Sequence, residues 1–145
     1  MSESQNVAVV RRLMDAYERD DLEGQLAHLD PDVELVEWPA GPDTATYRGH
    51  AGIEQARESW SEAWESLRFE NERFIEKGDR VFVSLMMKAK GRGSSIEIAT
   101  ETYAVYTLRE GLVVRGQFFT DKEQALEAAG LAEENSTGAT KEEAR

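Results

Sequence analysis

The sequence predicts a single α+β domain in which leading helices fold against a curled antiparallel sheet. Three observations predict it. Up to Leu67 the main apolar segments repeat at spacings of three and four. Beyond Leu67 the repeat shortens to about two, the strand period. The links between the later segments are short and contain glycine, which favours hairpins over crossovers. At 145 residues, 40% apolar and 32% charged, the chain has the size of one ordinary domain and enough apolar side chains to bury a core.

Each element has its own local reason. Val7, Val10, Met14 and Tyr17 form one stripe of an amphipathic helix, with Arg11, Arg12, Asp15 and Glu18 on the other positions. A second helix restarts at Asp20-Asp21-Leu22-Glu23, where Asp20 is the expected cap and Glu23 reaches back to close a capping box. Leu22, Leu26 and Leu29 make its buried edge, and Asp30-Pro31-Asp32 ends it because proline disfavours helical geometry in the residue before it. Val33 to Trp38 reads as a strand and Pro39 to Asp43 as a loop. A third helix is expected from near Gly49 to about Leu67 on the stripe Ile53, Ala56, Trp60, Trp64 and Leu67. Four strands follow, near Arg68–Glu76, Arg80–Lys90, Ile96–Leu108 and Leu112–Thr120. A short last helix, Lys122 to Ala129, is capped by Asp121 and stopped by Gly130. The stretch from Ala132 to Arg145 has almost no large apolar side chain, so the domain is expected to span 1–131 and an acidic disordered tail 132–145.

Composition excludes several classes of function. With no cysteine, neither a disulfide nor a thiolate zinc site can hold the fold. The formal net charge of −12 opposes binding to nucleic acid and to anionic membranes, whose recognition depends on Lys and Arg. No apolar run is long enough to span a bilayer, and the opening Met-Ser-Glu-Ser-Gln-Asn lacks the basic and apolar stretches of a secretory signal; the cytoplasm is the expected compartment. The two histidines, His28 and His50, lack metal-ligand spacing, so no metal and no cofactor is expected. Gly91-Arg92-Gly93 is read as a hairpin tip, not a phosphate loop.

Several stretches carry a family likeness. They are Val9-Val10-Arg11-Arg12-Leu13, Asp20-Asp21-Leu22-Glu23-Gly24, Leu29-Asp30-Pro31-Asp32-Val33-Glu34, Tyr47-Arg48-Gly49-His50-Ala51-Gly52-Ile53, Gly78-Asp79-Arg80-Val81 and Gly111-Leu112-Val113-Val114-Arg115. In these and in element order, the chain resembles the nuclear-transport-factor-2-like superfamily, and more closely its SnoaL-like polyketide cyclase branch. The resemblance implies a cone-shaped α+β barrel (the NTF2-like, or cystatin-like, fold) with a pocket between helices and sheet. It also implies a homodimer formed through the outer sheet face. Neighbouring apolar residues of opposite parity, Phe118 beside Phe119 and Leu85 beside Met86 and Met87, agree with a second face that needs cover.

The resemblance implies a range of chemistries, and the residues narrow it. The aspartate base, helix tyrosine and protonated acid of ketosteroid isomerase correspond to Trp38, Leu13 and a position near Ala104, so that mechanism has no residues here. Limonene-type epoxide hydrolysis needs an arginine between two aspartates; Arg115 is present without such a pair. SnoaL-type cyclases use an aspartate assisted by a histidine; Asp121 is the counterpart of the aspartate, although it also serves as a helix cap, and His50, at the mouth of the third helix, either lines a pocket entrance or simply occupies the first turn. Glu37 and Glu101 become general acid or base candidates if they face an apolar cavity, whose desolvation raises a carboxyl pKa. Tyr17, Trp38, Trp60, Trp64 and Phe118, with Tyr106 beside them, belong to elements that converge on one cavity and are the expected ligand contacts. The expected function is binding, or cofactor-free acid/base conversion, of a small apolar molecule. The alternative is a non-enzymatic dimeric interaction or stability module whose cavity is packed shut.

Overall fold

The computed structural model describes residues 4–36 and 46–131. Helix α1 (Gln5–Glu18) begins where Ser4 Oγ accepts a hydrogen bond from the Val7 amide at 3.1 Å. It buries Val9, Val10, Leu13, Met14 and Ala16, while Val7 and Tyr17, at the two ends of the stripe, are half-buried. Helix α2 (Leu22–Ala27) is capped by Asp21, not Asp20: the Asp21 carboxylate accepts from the Gly24 amide at 3.0 Å. Asp20 instead takes a left-handed φ of 56°, tolerable for aspartate, and its carboxylate is engaged by Arg57.

Strand β1 (Leu29–Val36) follows directly, then β2 (Thr46–Arg48), a strand too short to leave a periodic signal. The predicted Trp38 strand end, the loop 39–43 and the candidate Glu37 lie outside the described residues, as does the tail 132–145. Helix α3 (Gly49–Ala63) stops four residues before the expected end, and Trp64 and Leu67 open strand β3 (Trp64–Lys77). Trp64 is already extended, with φ −120° and ψ 133°. The β3 ladder slips register between Trp64 and Ser66, and that irregularity gives two strand residues a spacing of three. A strand with a bulge imitates the helical period.

The sheet is completed by β4 (Arg80–Gly91), β5 (Glu97–Arg109) and β6 (Leu112–Phe119), and α4 (Lys122–Ala129) closes the described chain. The strand order is β2-β1-β6-β5-β4-β3. The meander β3 to β6 is antiparallel as expected, but β1 runs parallel to β6, so the sheet is mixed. It curves without closing into a barrel. Gly130 stops α4 at a left-handed φ of 79°, where its own amide bonds to the Glu127 carbonyl.

Side-chain alternation separates two apolar layers. On the concave face Val81, Val83, Leu85 and Met87 of β4 meet Val10, Leu13, Met14 and Ile53 of the helices. On the convex face Phe82, Tyr103, Val105 and Phe119 pack against Ala125, Leu126 and Ala129 of α4 and against Leu131. Phe118 and Phe119 therefore serve opposite faces. The cover expected from a partner subunit comes at Phe119 from the chain's own helix α4, while Met86 is outside this layer. Lys77 and Arg80 hold α4 there, donating to the carbonyls of Gly130 and Ala128 at 2.6 and 2.7 Å. Among the described residues no helix is long and apolar enough to cross a membrane.

Candidate functional site

The concave face is wider than the three helices laid across it, and a cavity of about 430 Å³ remains between them. That volume lies in the range of about 300–1,000 Å³ common for small-molecule sites. Met14 and Tyr17 of α1, Gln25 of α2 and Ile53, Ala56 and Trp60 of α3 form its helical wall. Leu35, Leu85, Met87, Ala104 and Phe118 form the sheet wall. Charged residues stand only toward the rim, where Arg57 grips Asp20 through two bonds of 2.9 and 3.2 Å. Across from it Arg92, on the β4–β5 hairpin, donates from Nε to the Ser61 carbonyl at 2.6 Å. The Trp60 and Trp64 rings stack nearby with centroids 6.2 Å apart and planes at 29°.

Tyr106 does not line the cavity; it is fully buried and stands edge-on to the wall residue Phe118, with centroids 6.2 Å apart. Its hydroxyl donates to Met14 Sδ at 3.4 Å. Gly116 lies opposite Tyr106 on β6, and a Cβ there would come within 3.1 Å of both the Tyr106 ring and Leu35 Cδ1. The absence of a side chain is what lets the ring lie down. Tyr17 presents a second phenol, and its buried hydroxyl has no hydrogen-bond partner among the described residues. Burial pushes both phenols well above their ordinary pKa, the Tyr106 hydroxyl pulling Tyr17 back only in part. Both stay neutral; the Tyr106 hydroxyl donates, and the Tyr17 hydroxyl is left over among the described residues.

The sequence-based candidates fall into two groups. Tyr17, Trp60, Trp64 and Phe118 lie on the cavity wall. Of the ionisable candidates, Asp121, Glu101 and His50 lie elsewhere, and Glu37 is outside the described residues. Asp121 is exposed at the start of α4, its Oδ1 accepting from the Glu123 amide at 2.9 Å. Glu101 pairs with Met86 across the ladder, points to the convex face and accepts from the Tyr103 hydroxyl at 3.0 Å. His50 Nε2 sits 3.0 Å from the Leu29 carbonyl, tying the first turn of α3 to β1. Arg115 and Arg48 both pair with Glu34, and Arg68 pairs with Glu97. His28 is half-buried at the end of α2, where burial and then the nearby Arg12 charge lower its pKa. Among the described residues no group of three or more His, Cys, Asp or Glu side chains could hold a metal ion.

The sequence reading missed Gln25 and Thr102, which are buried and line the cavity. Thr102 spends its hydroxyl on the Thr100 carbonyl at 3.2 Å. Gln25 did leave a signal, because at helical spacing it falls beside Leu22 and Leu26, although Leu29, expected on the same edge, belongs to β1 and Gln25 is the buried residue of α2.

One carboxylate outside the cavity lining has its affinity for a proton increased. Glu72 on β3 has its pKa raised, first by burial and then by the charges of Asp15 and Glu18, with Arg11 opposing. A raised folded pKa means the native state holds this proton more tightly than the unfolded chain does. The ionised group therefore burdens stability at neutral pH, and the burden lifts as pH falls through the raised value toward the ordinary carboxylate range. Glu72→Gln is expected to raise the melting midpoint at neutral pH, with its advantage over wild type shrinking on acidification. A constant difference across the titration would assign the effect to something other than charge.

The comparisons with known proteins agree with this fold. No curated protein sequence matches the chain. Among solved structures, TerC co-crystallised with polyporic acid is 26% identical, with a TM-score of 0.74 over 87% of this chain and 98% of that one. An NTF2-like protein of Burkholderia xenovorans LB400 is 27% identical, with a TM-score of 0.70 over 89% of this chain and 98% of that one. At 20% identity a putative SnoaL-like polyketide cyclase from Jannaschia sp. CCS1 shares the fold, with a TM-score of 0.71 over 91% of this chain and 98% of that one. The model of the SnoaL-like domain matches residues 10–116, most of the chain, and the protein belongs to that family.

Proposed function

We propose that this SnoaL-like chain takes up a small, flat, apolar molecule between its helices and the concave sheet face. The observation that carries the reading is the open, mainly apolar cavity of about 430 Å³ with its charges kept toward the rim. Binding is favoured over acid/base conversion because the interior polar groups are Tyr17, Gln25 and Thr102, two hydroxyls and an amide, none of them charged. If a reaction takes place, it is a cofactor-independent isomerisation, cyclisation or hydrolysis. TerC, co-crystallised with polyporic acid at 26% identity, supports a guest molecule in a fold of this kind. Against the packed-shut alternative, in which Trp38, Trp60 and Phe118 close the cavity, Trp60 and Phe118 line open space; Trp38 lies outside the described residues. Residence in the cytoplasm and indifference to nucleic acid rest on sequence and net charge. A homodimer would have to use the convex surface that α4 leaves uncovered.

The test is thermal melting with polyporic acid and with a panel of fused-ring hydrocarbons. A ligand that binds only the native state, at about 100 times its dissociation constant, stabilises by about 2.7 kcal/mol and raises the midpoint accordingly. Ala56→Phe, which projects a ring into the cavity from α3, should fold and lose that response. A flat midpoint with every compound would sink the proposal.

A further inference from the structure

We propose that Gln25 recognises the polar edge of the cavity's guest, and that this edge carries a hydrogen-bond donor and an acceptor side by side, as a lactam or an enolic hydroxyketone does. The inference rests on the pocket reading above and deepens it. Gln25 is only 4% exposed and lines the cavity, yet its carboxamide has no hydrogen-bond partner among the described residues. Its polar atoms are open to the cavity, since among the described residues Tyr17 Oη is the fully buried side-chain polar atom without a partner, and its neighbours Leu22 and Leu26 on α2 are apolar. Its backbone is committed in the ordinary way, the amide to Asp21 and the carbonyl to His28. Only the side chain is left over.

The chemistry of the guest follows from what surrounds that side chain. A carboxamide offers one acceptor oxygen and two N–H donors, and its complement is an edge that gives and accepts at once. On the sheet wall the Thr102 hydroxyl has spent its one proton on the Thr100 carbonyl and can only accept, so an edge that both gives and accepts is met by the helical wall. There Tyr17 adds a buried neutral hydroxyl with no partner among the described residues. An anionic guest is opposed by Glu18, Asp20 and Glu65 around the cavity and by the chain's net charge. Of the rim arginines, Arg57 is held by Asp20 and Arg92 by the Ser61 carbonyl. The guest is therefore neutral.

The test compares 2-quinolone, N-methyl-2-quinolone and naphthalene, which share one flat bicyclic body and differ in the lactam edge. Titrations are followed by calorimetry on wild type and Gln25→Leu. Wild type should bind 2-quinolone roughly tenfold more tightly than its N-methyl derivative, the return of one or two neutral hydrogen bonds. Gln25→Leu should bind the two alike while keeping its affinity for naphthalene. Discrimination that persists in Gln25→Leu overturns the role of Gln25 and leaves the pocket standing. Failure of all three compounds to bind wild type removes the pocket and this inference with it. Melting without ligand gives a second reading: Gln25→Leu should melt at or above wild type, and a clear drop would make the amide a structural group and overturn the proposal.

Discussion

Leu13→Ala is expected to remove about 2–5 kcal/mol of stability, the usual cost of truncating a leucine in a packed core. Leu13 is fully buried at the centre of α1's inward face, and it does not line the cavity, whereas its neighbour Met14 does. Its loss therefore opens a new void in packed protein instead of widening an existing one, and the surroundings relax only in part. Against a typical total of about 5–15 kcal/mol, a loss of that size is a large fraction. In guanidinium titrations the midpoint should fall with the slope unchanged, because the same surface is exposed on unfolding. A loss under about 1 kcal/mol would mean that the inner end of the molecule packs loosely, contrary to the burial of Val10, Leu13 and Tyr106.

Ala125→Asp should be as damaging by a different route. Ala125 is fully buried where α4 meets Phe82, Tyr103, Val105 and Phe119. A carboxylate there has no cavity to enter and lies one helical turn from Asp121, a like charge. An uncompensated buried charge costs about 3–5 kcal/mol, so the helix should leave the sheet before accepting it. Undocking uncovers four apolar side chains on the convex face, a strip suited to self-association. Sedimentation should show a shift to larger species together with a lower melting midpoint. Unchanged mass and midpoint would mean that α4 contributes little to covering that face.

Much of the fold is written locally. Asp121 and Gly130 bracket α4 in the sequence as they do in the structure, since a cap and a left-handed stop are single-residue requirements. The β5–β6 hairpin is equally plain, because Glu110 and Gly111 both take positive φ, at 53° and 83°, between runs of alternating residues. Features that depend on distant partners are not legible in this way. The end of α3 was misplaced because the ladder slip near Trp64 produces helical spacing in a strand. Asp20 and Asp21 are equivalent as caps on paper, and only Arg57, far along the chain, distinguishes them. The parallel pairing of β1 with β6 leaves no mark in either segment.

The site divides along the same line. The cavity-wall aromatics Tyr17, Trp60 and Phe118 are large residues on convergent elements, which a pattern can find. Glu101 could not be assigned a face from its own strand, because which side it takes follows from its register with Met86. Gln25 was visible as a polar residue on an apolar stripe, and burial turns that irregularity into a candidate contact.

The parallel seam also governs the order of assembly. Its register joins Leu35 to Gly116 and Val36 to Gln117, bringing together two segments that β2, α3, β3, β4 and β5 separate along the chain. Until β6 emerges, β1 lacks its central neighbour and the hollow has no back wall. Topologies dominated by such remote pairings mature slowly, so the nascent chain has to keep its front helices from sticking elsewhere while it waits.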